Sequence, residues 1–296
     1  MTTSALTRRQ ALSLAGSSGA ALMAMLSGFP KLAAGAVGSE STRIELSLRS
    51  QALESRLPCV VHLPAAYALD ARRYPVVYFL HGLPATPTSY LELDWVAQAL
   101  ARSGREAILV VPQGTQVVDC DPEYHDWGSG ADWETALAVE LPAWVDGRFR
   151  TRATRTGRAI VGYSAGGYGA SIIGLHHPQT FAAIQSWSGY FQPTDPSGRS
   201  ARSVGSAAAD AEADVEALVP RLTAQFVRYP TSFAFYVGTS DPTFVSANLS
   251  LNRALTAARI QHVFRLYAGG HTKALWEAHA PGWLGLAVDA LNGGAV

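Results

Sequence analysis

One stretch constrains the fold of this chain more than any other, the segment Arg158-Ala-Ile-Val-Gly-Tyr-Ser-Ala-Gly-Gly-Tyr-Gly-Ala170. Its first apolar residues predict a short buried strand, and its last residues predict a helix that continues toward His176. The pattern Gly-x-Ser-x-Gly therefore stands between a strand and a helix, the context in which such a turn presents a reactive serine. Glycine is needed at 162 and 166 because a side chain there would collide with the neighbouring strand and helix. We expect the Ser164 hydroxyl to stand above a sheet, beside the positive N-terminus of a helix.

Eight segments of the chain have the hydrophobic pattern of strands. They are residues 42–49, 58–63, 74–80, 107–111, 159–161, 181–185, 232–237 and 262–267. The first alternates polar and apolar residues and predicts an edge strand paired antiparallel with the second, whereas most later runs are continuously apolar, as in central parallel strands. Helical segments between the strands complete an α/β fold, a doubly wound, mostly parallel eight-stranded sheet with helices on both faces. In such folds the site lies at the carboxyl ends of the strands.

Caps and prolines set the predicted helix boundaries. Ser89 and Glu92 have capping-box spacing and predict a helix from Ser89 to about Ser103. Asp132 is the predicted cap of a helix over 133–149, with a distortion at Pro142. The remaining predicted helices cover residues 246–259 and 272–292, the last broken near Pro281.

Residues 192–214 contain few large apolar side chains. This composition predicts a mobile surface loop that covers the site, or else a tolerated insertion with no role.

The first residues predict a targeting segment rather than part of the fold. Arg8 and Arg9 precede a mildly apolar run over 11–29, and Ala34-Gly-Ala36 offers a small-residue cleavage site. This is the pattern of a twin-arginine export signal. The alternative is an anchor helix that is retained, but glycines and serines interrupt the run and disfavour a stable membrane span. We expect residues 1–36 to be removed and 37–296 to form a single catalytic domain, periplasmic or secreted.

The bulk composition is that of an ordinary globular enzyme, with 48% hydrophobic residues and a formal net charge of zero. A neutral balance disfavours nucleic acid or an anionic membrane surface as the main partner. The two cysteines, Cys59 and Cys120, lack the spacing of a metal or redox site, and are either free thiols or one disulfide. The stretch Asp119 to Asp126 is rich in oxygen ligands but has no calcium-loop or zinc pattern, so no metal or cofactor is expected.

A reactive serine needs a base and a carboxylate. His271 follows the last predicted strand in Tyr267-Ala-Gly-Gly-His, where two glycines allow the imidazole to reach over the sheet. Asp241 follows the preceding strand, although Asp-Pro is also a common turn dipeptide. The order Ser164, Asp241, His271 is that of α/β-hydrolases. Asp195 is the alternative acid.

Three other histidines lie elsewhere in the predicted fold. His176 and His177 lie near a helix C-terminus, where they are expected to interact with the helix dipole, and His125 lies in a long loop.

Two backbone N–H groups are needed to hold an oxyanion. One is predicted from Ala165, the residue after the serine, and the other from Leu83 in the loop His81-Gly-Leu-Pro84, where Pro84 has no N–H. His81 is expected to brace this loop rather than to react.

Aromatic residues near these positions either line a cleft or pack in the core. The residues considered are Trp127, Trp133, Trp187, Tyr190, Phe191 and Trp276. The candidate substrate-binding set is His81, Trp127, Tyr163, Trp187 and Trp276.

Taken together, these motifs resemble the "putative esterase" branch of the α/β-hydrolases, which includes esterase D, feruloyl and acetylxylan esterases and the mycolyltransferases. The matching segments, spread over residues 75–280, are Tyr78-Phe-Leu-His-Gly82, Trp133-Glu-Thr, Glu140-Leu-Pro, Gly162-Tyr-Ser-Ala-Gly-Gly167, Gly238-Thr-Ser-Asp241 and Gly269-Gly-His271 with Trp276. The resemblance implies Ser164, Asp241 and His271 as a catalytic triad. The export signal departs from the cytosolic esterase D type.

The sequence therefore predicts an exported serine esterase that acts on a small-molecule, carbohydrate or lipid ester. An acyltransferase that moves an acyl group to a sugar or lipid alcohol uses the same triad and stays open. A non-catalytic carbohydrate- or lipid-binding module on a hydrolase scaffold is the alternative from another class.

Overall fold

The computed structural model describes residues 42–114, 124–195 and 200–293. The predicted export signal, Cys120 and residues 119–123 of the acidic stretch lie outside these ranges. Cys59 is buried and free, and burial raises the pKa of its thiol to about 12.

The strand prediction is confirmed. The described residues form one eight-stranded sheet of β1 (Thr42–Ser50), β2 (Ser55–Leu63), β3 (Val76–Leu80), β4 (Ile108–Pro112), β5 (Arg158–Tyr163), β6 (Ala183–Trp187), β7 (Ser232–Gly238) and β8 (Val263–Tyr267). The order across the sheet is β1-β2-β4-β3-β5-β6-β7-β8, with β2 antiparallel to both neighbours and β3 to β8 parallel. The strand β1 is an edge, as its alternating pattern predicts.

The helices cover both faces of the sheet. They are α1 (Asp94–Arg102), α2 (Trp133–Thr135), α3 (Leu141–Asp146), α4 (Ala165–His176), α5 (Ala207–Ala213), α6 (Val215–Arg228), α7 (Val245–Ala257) and α8 (Lys273–Leu291). Side chains along each central strand alternate between two cores, because successive residues of a strand point to opposite faces. In β3, Tyr78 packs with α4 and its neighbours, and Phe79 packs in the core beneath α1 and α8.

One helix start and one side-chain cap differ from the prediction, whereas α2 begins at Trp133, directly after Asp132, as predicted. The α-helix begins at Asp94, not Ser89, whose hydroxyl accepts the N–H of Thr86 and opens a short 3-10 turn instead. The N–H of Thr135 near the start of α2 is capped by Asp126, whereas Asp132 accepts the N–H of Gly128. Both differences arise because a nearby backbone N–H competes for the side chain expected to cap the helix.

Prolines act differently at two positions. A π-helical turn, Ala136–Glu140, joins α2 to α3 just before Pro142, so the predicted distortion is present, and the helix ends at Asp146. The predicted break at Pro281 is wrong, since α8 continues through it. Trp283 and Leu284, both buried, pack the helix against the sheet on the far side of the proline. We infer that this burial outweighs the lost hydrogen bond.

The segment 192–214 is only partly a loop. Its end forms α5, an alanine-rich helix in which the Ser206 hydroxyl accepts the N–H of Ala209. The loop prediction is therefore wrong for Ala207–Ala213. None of the helices in the described ranges has the length and apolar character needed to cross a membrane.

Candidate active site

The turn between β5 and α4 holds Ser164 in a strained conformation, with φ 53° and ψ −124°. Its N–H donates to the carbonyl of Trp187 on the adjacent strand, 2.9 Å away. A positive φ is costly for a residue with a Cβ, so the surrounding contacts must maintain it. The serine is consequently raised at the carboxyl end of β5.

The two glycines of the turn are required by contact distances. A Cβ added to Gly162 would lie 2.1 Å from the carbonyl oxygen of Gly166, and one added to Gly166 would lie 2.2 Å from that of Leu80. Each distance is far inside van der Waals contact with backbone atoms that cannot rotate away. The sequence argument for glycine at both positions is therefore correct, and its cause is the close approach of β3, β5 and α4.

Ser164, His271 and Asp241 form a continuous hydrogen-bonded chain. The Ser164 hydroxyl lies 3.0 Å from His271 Nε2, and His271 Nδ1 lies 2.9 Å from Asp241 Oδ2. A carboxylate can only accept, so Nδ1 carries the proton and Nε2 is left to accept from the serine. The imidazole is thereby held in the tautomer that a general base requires.

Asp241 is buried, and both of its carboxylate oxygens accept hydrogen bonds. Its second oxygen accepts the N–H groups of Thr243 at 3.0 Å and Phe244 at 2.9 Å. Burial alone would raise the pKa of Asp241, but hydrogen bonds from His271 and from these two amides lower it. The turn after Asp241 and the contact with His271 thus use different oxygens of one carboxylate. Asp241, rather than Asp195, occupies this place.

Aromatic rings enclose the imidazole of His271. Phe244 and Trp276 have ring centroids 5.0 and 5.1 Å from it, both in edge-to-face geometry. Trp276 donates its indole N–H to the Ser188 hydroxyl at 3.0 Å. Ser188, fully buried with φ 48°, lies just beyond β6. Sequence reasoning missed Phe244 and Ser188, because neither carries a motif and only their packing reveals the contact.

The loop after β3 lies against the serine. A Cβ at Gly82 would lie 2.9 Å from the Ser164 Cβ, so the backbone of this loop passes directly beside the nucleophile. Leu83, half-buried, precedes a cis bond to Pro84, and Ala165 is the first residue of α4. The role of the Leu83 and Ala165 amides as oxyanion donors stays a prediction.

His81 is a structural residue of this loop. It is buried, its Nε2 accepts the N–H of Gly114 at 2.9 Å, and its Nδ1 donates to the Gly82 carbonyl at 3.0 Å. Burial lowers the pKa of His81, which keeps the ring neutral. It braces the loop, as expected, but its burial is inconsistent with the substrate contact also considered for it.

The aromatic candidates divide by exposure. Trp187 has no exposed surface and packs between Phe79 and Trp283, so its assignment to substrate binding is wrong. Tyr163 is half-buried and packs against Trp276 in a tilted arrangement, with ring centroids 4.5 Å apart. Trp127 is half-buried beneath the guanidinium of Arg202, 5.1 Å from its ring centroid.

The helix-terminal histidines have a partner that sequence reasoning missed. Oε1 of Glu134 lies 2.9 Å from both His176 Nδ1 and His177 Nε2. Glu134 is the middle residue of the segment Trp133-Glu-Thr, and its contact joins α2 to the end of α4. These histidines therefore interact with a half-buried carboxylate rather than only with the helix dipole.

A cavity of about 600 Å³ adjoins the turn that carries Asp241. Thr243 and Phe244 line it, together with Tyr190, Thr194 and Glu216. The Thr194 hydroxyl is buried and has no hydrogen-bond partner among the residues that the structure describes.

Comparisons with known proteins agree with this architecture. The family model Esterase, described as "Putative esterase", matches residues 50–283. Esterase Rv1288 of Mycobacterium tuberculosis is 32% identical over 129 residues, which cover 44% of this chain and 28% of that protein. The MPT51/MPB51 antigen of the same organism is 29% identical over 134 residues, covering 44% of this chain and 42% of the antigen. The chain thus spans less than half the length of these relatives.

Solved structures share the fold over most of the chain. A ferulic acid esterase superposes with a TM-score of 0.72 and 24% identity, covering 86% of this chain and all of that one. An S-formylglutathione hydrolase of Staphylococcus aureus superposes with a TM-score of 0.69 and 18% identity, covering 84% of this chain and 100% of that one. With the family model matched over most of its length, the chain belongs to the Esterase family, and its fold is that of the α/β-hydrolases.

Proposed function

We propose that this protein is a serine esterase whose nucleophile is Ser164. The observation that carries the proposal is the hydrogen-bonded chain from Ser164 through His271 to Asp241 at the carboxyl ends of β5, β7 and β8. His271 Nε2 accepts the hydroxyl proton as the serine oxygen attacks the ester carbonyl. The lowered pKa of Asp241 keeps its carboxylate charged, and that charge stabilises the imidazolium that forms.

The remaining steps use the same groups. The N–H groups of Leu83 and Ala165 hold the negative oxygen of the tetrahedral intermediate. Protonated His271 then donates to the leaving alcohol, which breaks the ester bond and leaves the acyl group on Ser164. A water molecule deprotonated by His271 attacks this acyl-enzyme, releases the carboxylic acid and restores the serine.

The substrate we propose is a small-molecule, carbohydrate or lipid ester. The cavity of about 600 Å³ next to Phe244 has the size of a ligand site and would hold a part of the ester that does not react. We also propose that residues 1–36 direct export by the twin-arginine route, which rests on Arg8, Arg9 and the cleavage-site pattern.

Covalent labelling tests the proposal. A fluorophosphonate probe should modify the purified protein at Ser164, identified by peptide mass spectrometry, and Ser164→Ala and His271→Ala should abolish labelling. Ser171→Ala is the matched control, because Ser171 is a buried serine of α4, the helix that follows Ser164, and its hydroxyl donates to the Gly167 carbonyl. Absence of any adduct on the folded protein would refute the esterase proposal and favour a binding module.

A further inference from the structure

The two ends of the parallel strands carry different chemistry. Ser164, Asp241 and His271 follow the carboxyl ends of their strands. The segments that enter β3, β5, β7 and β8 meet at the amino ends of the strands, along the opposite edge of the sheet. We call this opposite edge the basic edge. It is defined by seven arginines in those entering segments, Arg73, Arg148, Arg150, Arg152, Arg155, Arg228 and Arg259.

The arginines of the basic edge are not neutralised by carboxylates. No carboxylate oxygen in the described ranges lies within 4.0 Å of any of the seven. The acidic residues nearby are already paired, Asp70 and Glu106 with Arg72, Asp146 with Arg158, and Asp289 with Arg105. The edge therefore has an excess of positive charge, although the whole chain is neutral.

Neutral groups hold these guanidinium groups in place. Arg155 donates to the carbonyls of Pro178, Phe181 and Pro230, and its burial lowers its pKa, as expected for a cation without a counter-ion. Arg150 lies over the Tyr67 ring at 3.8 Å. Carbonyls and aromatic rings orient a guanidinium but do not cancel its charge, so the field of the edge extends into solvent.

Exposed apolar side chains stand among the arginines. Leu69 is 70% exposed and Val227 is 80% exposed, more than any other large apolar side chain that the structure describes. Leu69 follows the turn whose Tyr67 ring lies under Arg150, and Val227 precedes Arg228 at the end of α6. An exposed leucine and an exposed valine on a cationic surface are a combination suited to an interface between water and lipid.

A cavity of about 710 Å³ opens on the same edge. Arg155, Thr231, Ser232 and Gln261 supply hydrogen-bond donors, Phe233 and Leu291 supply apolar walls, and no aspartate or glutamate of the described ranges lines it. Its chemistry suits a phosphate group attached to an apolar body.

We propose that the basic edge binds the surface of a membrane containing anionic lipids. The arginines attract phosphate headgroups, and Leu69 and Val227 insert between them. Overall charge gives no sign of this surface, because the cations are segregated to one edge of a neutral chain. In this orientation the proposed nucleophile faces away from the bilayer, toward the aqueous side.

Vesicle co-sedimentation of the full chain tests the proposal. We expect binding to phosphatidylcholine vesicles in which about a third of the lipid is phosphatidylglycerol, and little binding to pure phosphatidylcholine. Arg73→Gln/Arg148→Gln/Arg228→Gln should weaken binding by roughly 100-fold, about fivefold per surface arginine. Leu69→Ser/Val227→Ser should weaken it further at high salt, where the electrostatic part is screened.

The matched control removes the same charge elsewhere. Arg49→Gln/Arg56→Gln/Arg221→Gln affects exposed arginines outside the basic edge and should leave binding nearly unchanged. Because every variant retains residues 1–36, a contribution of that segment is the same in all of them. Equal binding by the two triple variants, or equal binding to neutral vesicles, would overturn the proposal. Binding to dextran sulfate without binding to vesicles would overturn it as well and assign the edge to a soluble polyanion.

Discussion

The indole N–H of Trp276 donates to the hydroxyl of Ser188 at 3.0 Å, while the same indole ring lies against the imidazole of His271. The hydrogen bond fixes the plane of the indole, and the indole limits how far the imidazole can turn away from Ser164. Trp276→Phe keeps most of the ring and removes the donor. We expect kcat for a chromogenic ester to fall about five- to tenfold, with KM nearly unchanged, the size of one lost hydrogen bond.

Ser188→Ala should reproduce this loss in kcat, because it removes the other partner of the same bond. Trp144→Phe is the control, since Trp144 packs beneath Arg148 on the basic edge. Wild-type kcat in both Trp276→Phe and Ser188→Ala would show that the contact has no role in positioning His271.

Replacement of Asp241 separates the two candidate acids. Asp241→Asn keeps the shape of the side chain but loses the charge that stabilises protonated His271, and it favours the wrong tautomer. We expect kcat to fall on the order of 10⁴-fold. Asp195→Asn is the matched control and should retain activity within about threefold, inside the range of surface substitutions. A large loss in Asp195→Asn with an active Asp241→Asn would reverse the assignment.

Gly162→Ala tests the cause of the glycine requirement. The added Cβ would lie 2.1 Å from the Gly166 carbonyl oxygen, so we expect the free energy of unfolding to fall by about 3 kcal/mol or more, measured by urea denaturation. Gly282→Ala lies in the interior of α8, where no atom beyond its own turns of helix lies within 4 Å of the added Cβ, and should be stabilising by about 0.5–1 kcal/mol. Equal stability of the two variants would contradict the steric explanation.

Glu134 and His176 should make stability depend on pH. Burial opposes the charge of Glu134, but hydrogen bonds from His176 and His177 prevail and lower its pKa to about 2. A carboxyl with a lowered folded pKa stabilises the fold above its unfolded pKa, and that stability is lost as the pH falls from about 4.5 toward 2. The contribution is on the order of 3 kcal/mol.

The contribution of His176 to stability depends on pH with the opposite sign. Burial would lower the pKa of His176, but Glu134 raises it overall, so its contribution is present below about 6.5, the unfolded pKa, and is lost as the pH rises through the folded value. Urea unfolding across this range should show greatest stability between the two windows. Glu134→Gln should flatten both slopes, whereas Glu277→Gln, an exposed change on α8, should preserve them. Unaltered slopes in Glu134→Gln would refute the coupling.

Much of the fold was predictable from local pattern. The alternating residues of β1 and the apolar runs of the central strands gave eight strands in the right places, because side-chain periodicity follows directly from backbone geometry. Helix ends were predicted less well. Ser89 and Asp132 each have the residue type of a cap, but a nearby N–H that no spacing rule identifies takes the side chain instead.

The sequence by itself determined the strand–turn–helix segment that carries Ser164 and the order of the residues around it. Glycine at 162 and 166 and histidine after the last strand are requirements of backbone contact and chain topology, which can be read without coordinates. The tertiary structure decided that Asp241 rather than Asp195 meets His271, that Trp187 is core, and that arginines with no carboxylate partner among the described residues collect on one edge. Each of these depends on which distant residues become neighbours, and packing across the sheet, rather than local propensity, brings them together.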